Sequence, residues 1–351
     1  MRAAVFRGNN RIEVADVERP EIGDDEVLVR VGANTLCGTD VRIVRGEKTK
    51  GIRPGAILGH EFSGHVARAG RATSGYDVGT PVGMAPLVAC GHCAYCRRDM
   101  ENLCPRQQMM GYEYAGGLSE YVRIPSAAVR AGNLVAAGQE RAPEQLALAE
   151  PLACCLNGQE RSGVGLDDVV LIMGAGPIGL FHVQLALLRG ARTVVVSEPS
   201  APRRELATRF GAHAAVDPDD DLATAVDDAT GGHGPDVTVI CIGVPPLVDD
   251  ALRVTRPGGR VNVFAGMPKG ATSTVEANLV HYKELRVTGT SACRRVHYET
   301  AFRLIENGRV EAGPMITHRF PLAEVDKALA VSAGGEGIKV AVLPATAEQG
   351  G

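Results

Sequence analysis

The sequence predicts an α/β protein, a doubly wound parallel sheet joined to a second, β-rich unit. Three observations predict it. The first 150 residues hold short β-rich segments broken by Gly and Pro, strands and helices alternate from Asp168 onward, and a glycine-rich turn follows the first apolar strand of that alternation. At roughly 150 residues per domain, the 351 residues suggest about two domains. With 45% hydrophobic and 22% charged residues the composition is that of a folded globular chain, which excludes disorder, and 43 Gly imply many tight turns. Counting 37 Lys+Arg against 41 Asp+Glu gives a net charge of -4, which argues against nucleic acid or an anionic membrane as the partner.

The N-terminal part contains β-rich stretches such as Glu26-Val27-Leu28-Val29-Arg30-Val31. After Asp168 the order is strand Val169–Met173, helix 178–189, strand Thr193–Ser197, helix 203–210, strand 237–242, helix Leu247–Val254 and strand 260–264. Gly190 is expected to close the first helix in the left-handed region, and Gly258-Gly259 to end the later one. Beyond the segment 284–289, helices are expected over 298–307 and 322–332, with a final strand Lys339–Leu343; periodicity assigns this tail to neither sheet. The start Met1-Arg2-Ala3-Ala4-Val5-Phe6-Arg7 has no signal-peptide pattern. The longest apolar region, 169–188, is interrupted by Gly174, Gly176, Pro177 and Gly179, so it reads as strand, turn and helix rather than a membrane span. Nine cysteines, four of them tightly grouped, fit a reducing cytoplasm better than a disulfide framework.

Gly174-Ala175-Gly176-Pro177-Ile178-Gly179 lies between an apolar strand and a helix, the setting in which this spacing binds a dinucleotide. The first glycine allows a tight turn, the second lets backbone approach a pyrophosphate, and the third lets helix pack on strand, as in a Rossmann unit. Glu198, about 20 residues on at the end of the next strand, is the expected acceptor for an adenosine ribose and favours NAD over NADP. Arg203 and Arg204 compete with that reading, since either suits a 2′-phosphate. Ile242, Gly243 and Ala265, which close the later strands, complete the candidate cofactor residues.

Cys90, Cys93, Cys96 and Cys104, separated by two, two and seven residues, bring four thiols within reach of one ion. Four thiolates close a tetrahedral Zn²⁺ sphere and leave no place for substrate, so the expected role is structural. Pro105 resembles the residue that ends ferredoxin cluster motifs, but those have three residues before the last cysteine rather than seven. A second set is dispersed: Cys37 in Cys37-Gly38-Thr39-Asp40, His60 and Glu61 in Gly59-His60-Glu61, and Glu150 in Glu150-Pro151-Leu152. One thiolate, one imidazole and one or two carboxylates hold Zn²⁺ with a position left for water or substrate, although single Cys, His and Glu residues also serve structural roles.

In this order these five motifs resemble those of the zinc-dependent medium-chain alcohol dehydrogenases, and the resemblance spans essentially the whole chain. Glutamate at 150 makes it similar to the sorbitol and threonine dehydrogenase branch. The resemblance implies a chaperonin-10-like catalytic domain over 1–151 and 290–351, a coenzyme domain over 152–289, and an active site in the cleft. It implies two zinc ions per chain, a catalytic one on Cys37, His60 and Glu61, with Glu150 a ligand or a partner of bound water, and Thr39 opening a proton relay. Where many members carry a relay histidine this chain has Arg42, which leaves the last proton step open and offers a contact for cofactor phosphate. A homodimer or homotetramer is implied as well.

The implied reaction is NAD-linked hydride transfer from a secondary alcohol. With 4% aromatic residues and no Trp there is little material for a wide aromatic pocket, which favours a hydrophilic substrate: a polyol, sugar, cyclitol or aminosugar. Tyr112, Glu113, Tyr114, Arg294, Arg295 and His297 are candidates to reach it, or surface and packing residues. His65, His182, His213, His233, His281 and His318 lack a ligand pattern, and Cys154, Cys155, Cys241 and Cys293 read as small core residues. The competing readings are a zinc-free NADP-dependent reductase, a nucleic-acid-binding zinc ribbon, opposed by the charge, and a non-catalytic cofactor-binding protein.

Overall fold

A computed structural model describes residues 1–344 apart from Asn9, Asp220 and Asp221. The chain divides into two compact units, Met1–Ala153 with Cys293–Gly351, and Cys154–Ala292.

In the second unit, six parallel strands run in the order Ala214–Val216, Thr193–Ser197, Val169–Met173, Val237–Ile240, Arg260–Val263 and Arg286–Gly289. Every residue of Val169–Met173 is buried, as a continuous apolar run in a central parallel strand should be. The chain adds two strands on one side of it and then crosses to the other, so the order reverses between Val169–Met173 and Val237–Ile240. Met173 is in register with both Ser197 and Ile240, so Gly174, Glu198 and Cys241 leave the sheet side by side at its carboxyl edge. In open α/β sheets, ligands bind at such a reversal.

The helices here are Pro177–Leu188, Ala201–Arg209 and Leu247–Val254, close to expectation, and Gly190 has the left-handed φ of +87°. Gly258-Gly259 do not cap a helix. The Leu247–Val254 helix already ends at an extended Thr255; Gly258, at φ +72°, turns the chain into Arg260–Val263, and a Cβ at Gly259 would collide with the Thr255 side chain. The strand expected over 237–242 stops at Ile240. The strand Ala214–Val216 and the helices Leu222–Thr230 and Ala277–Tyr282 were not legible, being short and only partly buried.

The first unit is built on a seven-stranded sheet with the path Ile316–Pro321, Lys339–Leu343, Val27–Thr35, Glu61–Ala69, Pro81–Met84 and Leu134–Ala136, while Tyr121–Ile124 pairs with the start of Val27–Thr35. The tail therefore belongs to this sheet: Ala341 pairs with Thr35 and Val342 with Asn34. Ile316–Pro321 escaped the sequence reading because it alternates buried and exposed residues without an apolar run. The helix expected over 298–307 forms as Arg295–Glu306, and that over 322–332 as a short turn, Leu322–Glu324, followed by Val325–Gly334. Val27, Val29, Val31, Phe62, Val66, Val82, Val122 and Ile124 fill one core, each fully buried side chain contributing about 1.5–3 kcal/mol.

This sheet positions the dispersed motifs. Thr35 lies opposite Glu61 in the antiparallel pair of Val27–Thr35 with Glu61–Ala69. Cys37, two residues after Thr35, and His60, one before Glu61, therefore emerge at the same end. Gly59 makes the approach possible: its φ is +93°, and a Cβ there would strike the Asn34 side chain.

Candidate metal centres and cofactor turn

The ligand atoms of Cys37, His60 and Glu61 lie within 4.8 Å of one another. Cys37 precedes the helix Gly38–Val44, and its backbone N–H donates to Asp40 Oδ2 at 2.9 Å. The other oxygen of Asp40, Oδ1, is 3.4 Å from His60 Nδ1, with both side chains buried. A carboxylate behind an imidazole fixes ring orientation and turns the other nitrogen toward a metal. Burial works against charge on His60, but Asp40 and then the Cys37 side chain outweigh it, so the metal-free ring is held protonated well above its ordinary range. An incoming cation must displace that proton.

Glu61 is buried and accepts hydrogen bonds at Oε2 from Thr35 Oγ1 and Lys339 Nζ, neither of which engages Oε1. Lys339 also donates to the Leu36 carbonyl at 3.1 Å. Burial opposes its charge, and Glu61 more than restores it. Asp40 and Lys339 were both missed as site residues. Asp40 carried a signal, an acid three residues after Cys37 where it can cap the helix. Lys339 carried none, standing 278 residues from Glu61.

Glu150 lies outside this trio. It is the second residue of the helix Ala149–Ser162, with Cys154 one turn on and Cys293 within 4.8 Å. Its charge still reaches the centre: it adds to the burial that raises Tyr112 and to the charge of Glu61 that favours the Lys339 ammonium, and it works against the burial that lowers Lys48. Thr39 is half-buried in the first turn after Cys37, and Arg42 Nε faces Glu47 Oε2 at 3.7 Å. The Tyr112 ring stands edge-on to His60 with centroids 5.8 Å apart, and burial pushes its phenol pKa up. Glu113 and Tyr114 instead close local turns, to the Met109 N–H and the Gln108 side chain, each at 2.9 Å.

The four-cysteine lobe brings its sulfurs together: 3.5 Å for Cys93–Cys96, 3.8 Å for Cys93–Cys104 and 3.9 Å for Cys90–Cys96. Four sulfurs about 2.3 Å from one Zn²⁺ sit about 3.8 Å apart at the corners of a tetrahedron. Without a metal the thiols cannot ionise together. The His92 backbone N–H draws Cys90 down to about 6, whereas burial, with the Cys93 side chain, pushes Cys96 up to about 12. His92 is a turn residue, its Nδ1 2.6 Å from the Cys90 carbonyl.

The glycine turn has the geometry a dinucleotide needs. Gly174 has φ +104°, a Cβ at Gly176 would find nothing within 4 Å, and one at Gly179 would strike the Gly174 carbonyl. The open space at Gly176, where Pro177 starts the helix, is room for a phosphate beside free N–H groups. Buried Glu198 accepts from the Ala175 N–H at 2.7 Å and the Ser200 N–H at 3.0 Å, which fixes the acid at the turn. Ile242 borders Gly174, Gly243 packs against the Gly266 carbonyl, and the Ala265 N–H donates to Ile240 at 3.0 Å. Arg204 is committed to Asp217 and to the Glu198 and Pro199 carbonyls, while Arg203 stays half-buried. His182 is a core residue: burial lowers its pKa to about 3, and Gln159 Nε2 lies 3.0 Å from Nδ1.

Comparison with known proteins agrees with this geometry. Residues 23–132 match the alcohol dehydrogenase GroES-like domain family, and residues 177–307 match the zinc-binding dehydrogenase family. The chain is 34% identical over 314 residues to an L-threonine 3-dehydrogenase of Pyrococcus abyssi (strain GE5 / Orsay), covering 88% of each chain. It is 30% identical over 339 residues to a D-arabitol-phosphate dehydrogenase of Enterococcus avium, covering 95% of this chain and 94% of that one. Among solved structures, one from Sinorhizobium meliloti 1021, described as a zinc-binding dehydrogenase bound to NADP, matches with a TM-score of 0.92 and 35% identity over 98% of this chain and 99% of that one. Among the described residues no helix is long and apolar enough to cross a membrane.

Proposed function

The chain belongs to the zinc-dependent medium-chain alcohol dehydrogenase family, and from that premise we propose that it oxidises a hydrophilic secondary alcohol, a polyol, sugar, cyclitol or aminosugar, with NAD. The observation that carries the reading is the buried trio Cys37, His60 and Glu61, backed by Asp40. Relatives named for L-threonine and D-arabitol phosphate support a polar substrate. The unit of residues 1–153 and 293–351 carries the chemistry, and residues 154–292 bind the coenzyme.

When bound, zinc supplies a Lewis acid for the substrate oxygen and NAD supplies the hydride acceptor. Cys37 and His60 would hold the metal, with Glu61 Oε1 or Glu150 as the further oxygen ligand. Asp40 keeps the His60 ring aimed. Thr39 would take the hydroxyl proton while giving its own to solvent water. Arg42 has only N–H donors and accepts no proton, so the relay does not continue through it.

The test is a metal count together with a panel of polyols and cyclitols assayed with NAD and NADP in parallel. Two zinc ions per chain and faster turnover with NAD are expected; no oxidation of any alcohol by fully zinc-loaded enzyme would leave a non-catalytic cofactor-binding protein. The NAD preference is assigned to Glu198, whose carboxylate accepts from the ribose and repels a 2′-phosphate. Glu198→Ala should lower the ratio of kcat/KM for NAD over NADP by roughly 10- to 100-fold. An unchanged ratio assigns the preference elsewhere.

Among the described residues the strand Arg286–Gly289 ends the parallel sheet, paired on one side only, with Val287 45% exposed. An open strand edge invites a second strand, and we assign it to pairing with another copy, as a dimer or as half of a tetramer. Val287→Lys should convert the assembly to smaller species in light scattering; a wild-type monomer would refute the pairing. The thiolate ligands need reducing surroundings, which supports a cytoplasmic location.

A further inference from the structure

We propose that Lys48 selects the substrate by holding an anionic group, a carboxylate or a phosphate, on the alcohol that reacts at the Cys37–His60 centre. The inference rests on the reading of that centre given above and adds the charge of its substrate.

The backbone brings Lys48 back toward the metal ligands. Where the helix Gly38–Val44 ends, the N–H groups of Glu47 and Lys48 both turn back to the Arg42 carbonyl, at 2.9 and 3.3 Å. Lys48 Nζ then lies 4.8 Å from the centroid of the Tyr112 ring, and that ring is 5.8 Å from the ring of His60. The ammonium is therefore no farther from His60 than these two distances in series. It also lies within electrostatic reach of Cys37, Arg42, Asp40 and Glu150.

An ammonium in this position is incompletely served. Burial is the main influence on it and works against its charge, and Arg42 adds to that. The face of Tyr112 compensates in part, but offers no oxygen to three N–H donors. Of the acids around it, Asp40 is engaged with Cys37 and His60, Glu47 faces Arg42, and Glu150 acts on Lys48 through its charge as the weakest of the influences named. A divalent ion on Cys37 and His60 would add positive charge next to Lys48 and Arg42. A substrate with its reacting hydroxyl at that ion and a negative group one short carbon chain away supplies the missing oxygens. Lysine suits this task as a compact point charge that accepts carboxylate or phosphate.

Sorbitol, sorbitol 6-phosphate and gluconate share a six-carbon polyol skeleton and differ in charge, so they separate the two anion sources. Their binding to the zinc-loaded enzyme is measured by calorimetry, and their oxidation by steady-state kinetics, in wild type, Lys48→Met and Lys48→Arg. Wild type should bind at least one of the anionic probes more tightly than sorbitol. Lys48→Met should cut the ratio of anionic to neutral affinity by roughly 10- to 100-fold, and Lys48→Arg should restore part of it. Wild-type indifference to probe charge, an equal loss for all three probes, or a Lys48→Met defect confined to NAD binding would each overturn the proposal. If no alcohol is oxidised while the charge-dependent binding persists, the enzymatic reading fails and the anion site stands.

Discussion

Replacing Cys37 or His60 by alanine should lower kcat/KM by about 10³- to 10⁴-fold and remove one of two zinc ions. Polarisation of the substrate oxygen by a metal is worth several kcal/mol, and each 1.36 kcal/mol of barrier is tenfold in rate. Neither Glu61, the third member of the trio, nor Asp40 behind it replaces these ligands: Glu61 Oε2 is engaged by Thr35 and Lys339, and Asp40 faces the Cys37 N–H and His60. Steady-state kinetics beside a metal assay checks the prediction. Full turnover by a metal-free Cys37→Ala enzyme would sink the assignment. Zinc uptake at this centre should also strengthen as pH rises. In the metal-free protein the His60 ring holds its proton to unusually high pH, so acid favours the protonated, metal-free form and base the loaded one.

Cys90→Ser should have the other large effect, on stability rather than on the chemical step. The Cys93–Cys96, Cys93–Cys104 and Cys90–Cys96 sulfurs are 3.5 to 3.9 Å apart, and structural zinc in small domains contributes on the order of 10 kcal/mol to folding. The variant should lose the lobe's zinc and become sensitive to proteolysis between 90 and 104, and its Tm should fall on the order of 10 °C. The remaining zinc should stay with Cys37. Because Cys96 is pushed up to about 12 without metal, it is protonated at neutral pH, so zinc binding must release protons. Calorimetry in buffers of different ionisation enthalpy reads that release. Wild-type stability in a zinc-depleted lobe would show that the four cysteines are not a structural clamp.

Glu198 and Lys48 show two degrees of legibility. The acid was readable because its spacing from the glycine turn follows from the length of one helix and one strand. The lysine was not, because its relation to His60 passes through Tyr112, far along the chain.

Features whose parts lie close along the chain could be read before any fold was known: the glycine turn, the four-cysteine lobe, and the alternation of strand and helix after Asp168. In each, the chemistry is set by local spacing or by apolar period. Long-range pairing set Thr35 opposite Glu61, which delivers Cys37 and His60 to one place, and packing put Asp40 behind the imidazole. The same long-range pairing joins the tail strand Lys339–Leu343 to Val27–Thr35 and carries Lys339 to Glu61. The reason is physical. Strand register and the burial of ion pairs depend on which distant segments share a core, and side-chain period along one segment holds no record of its partner.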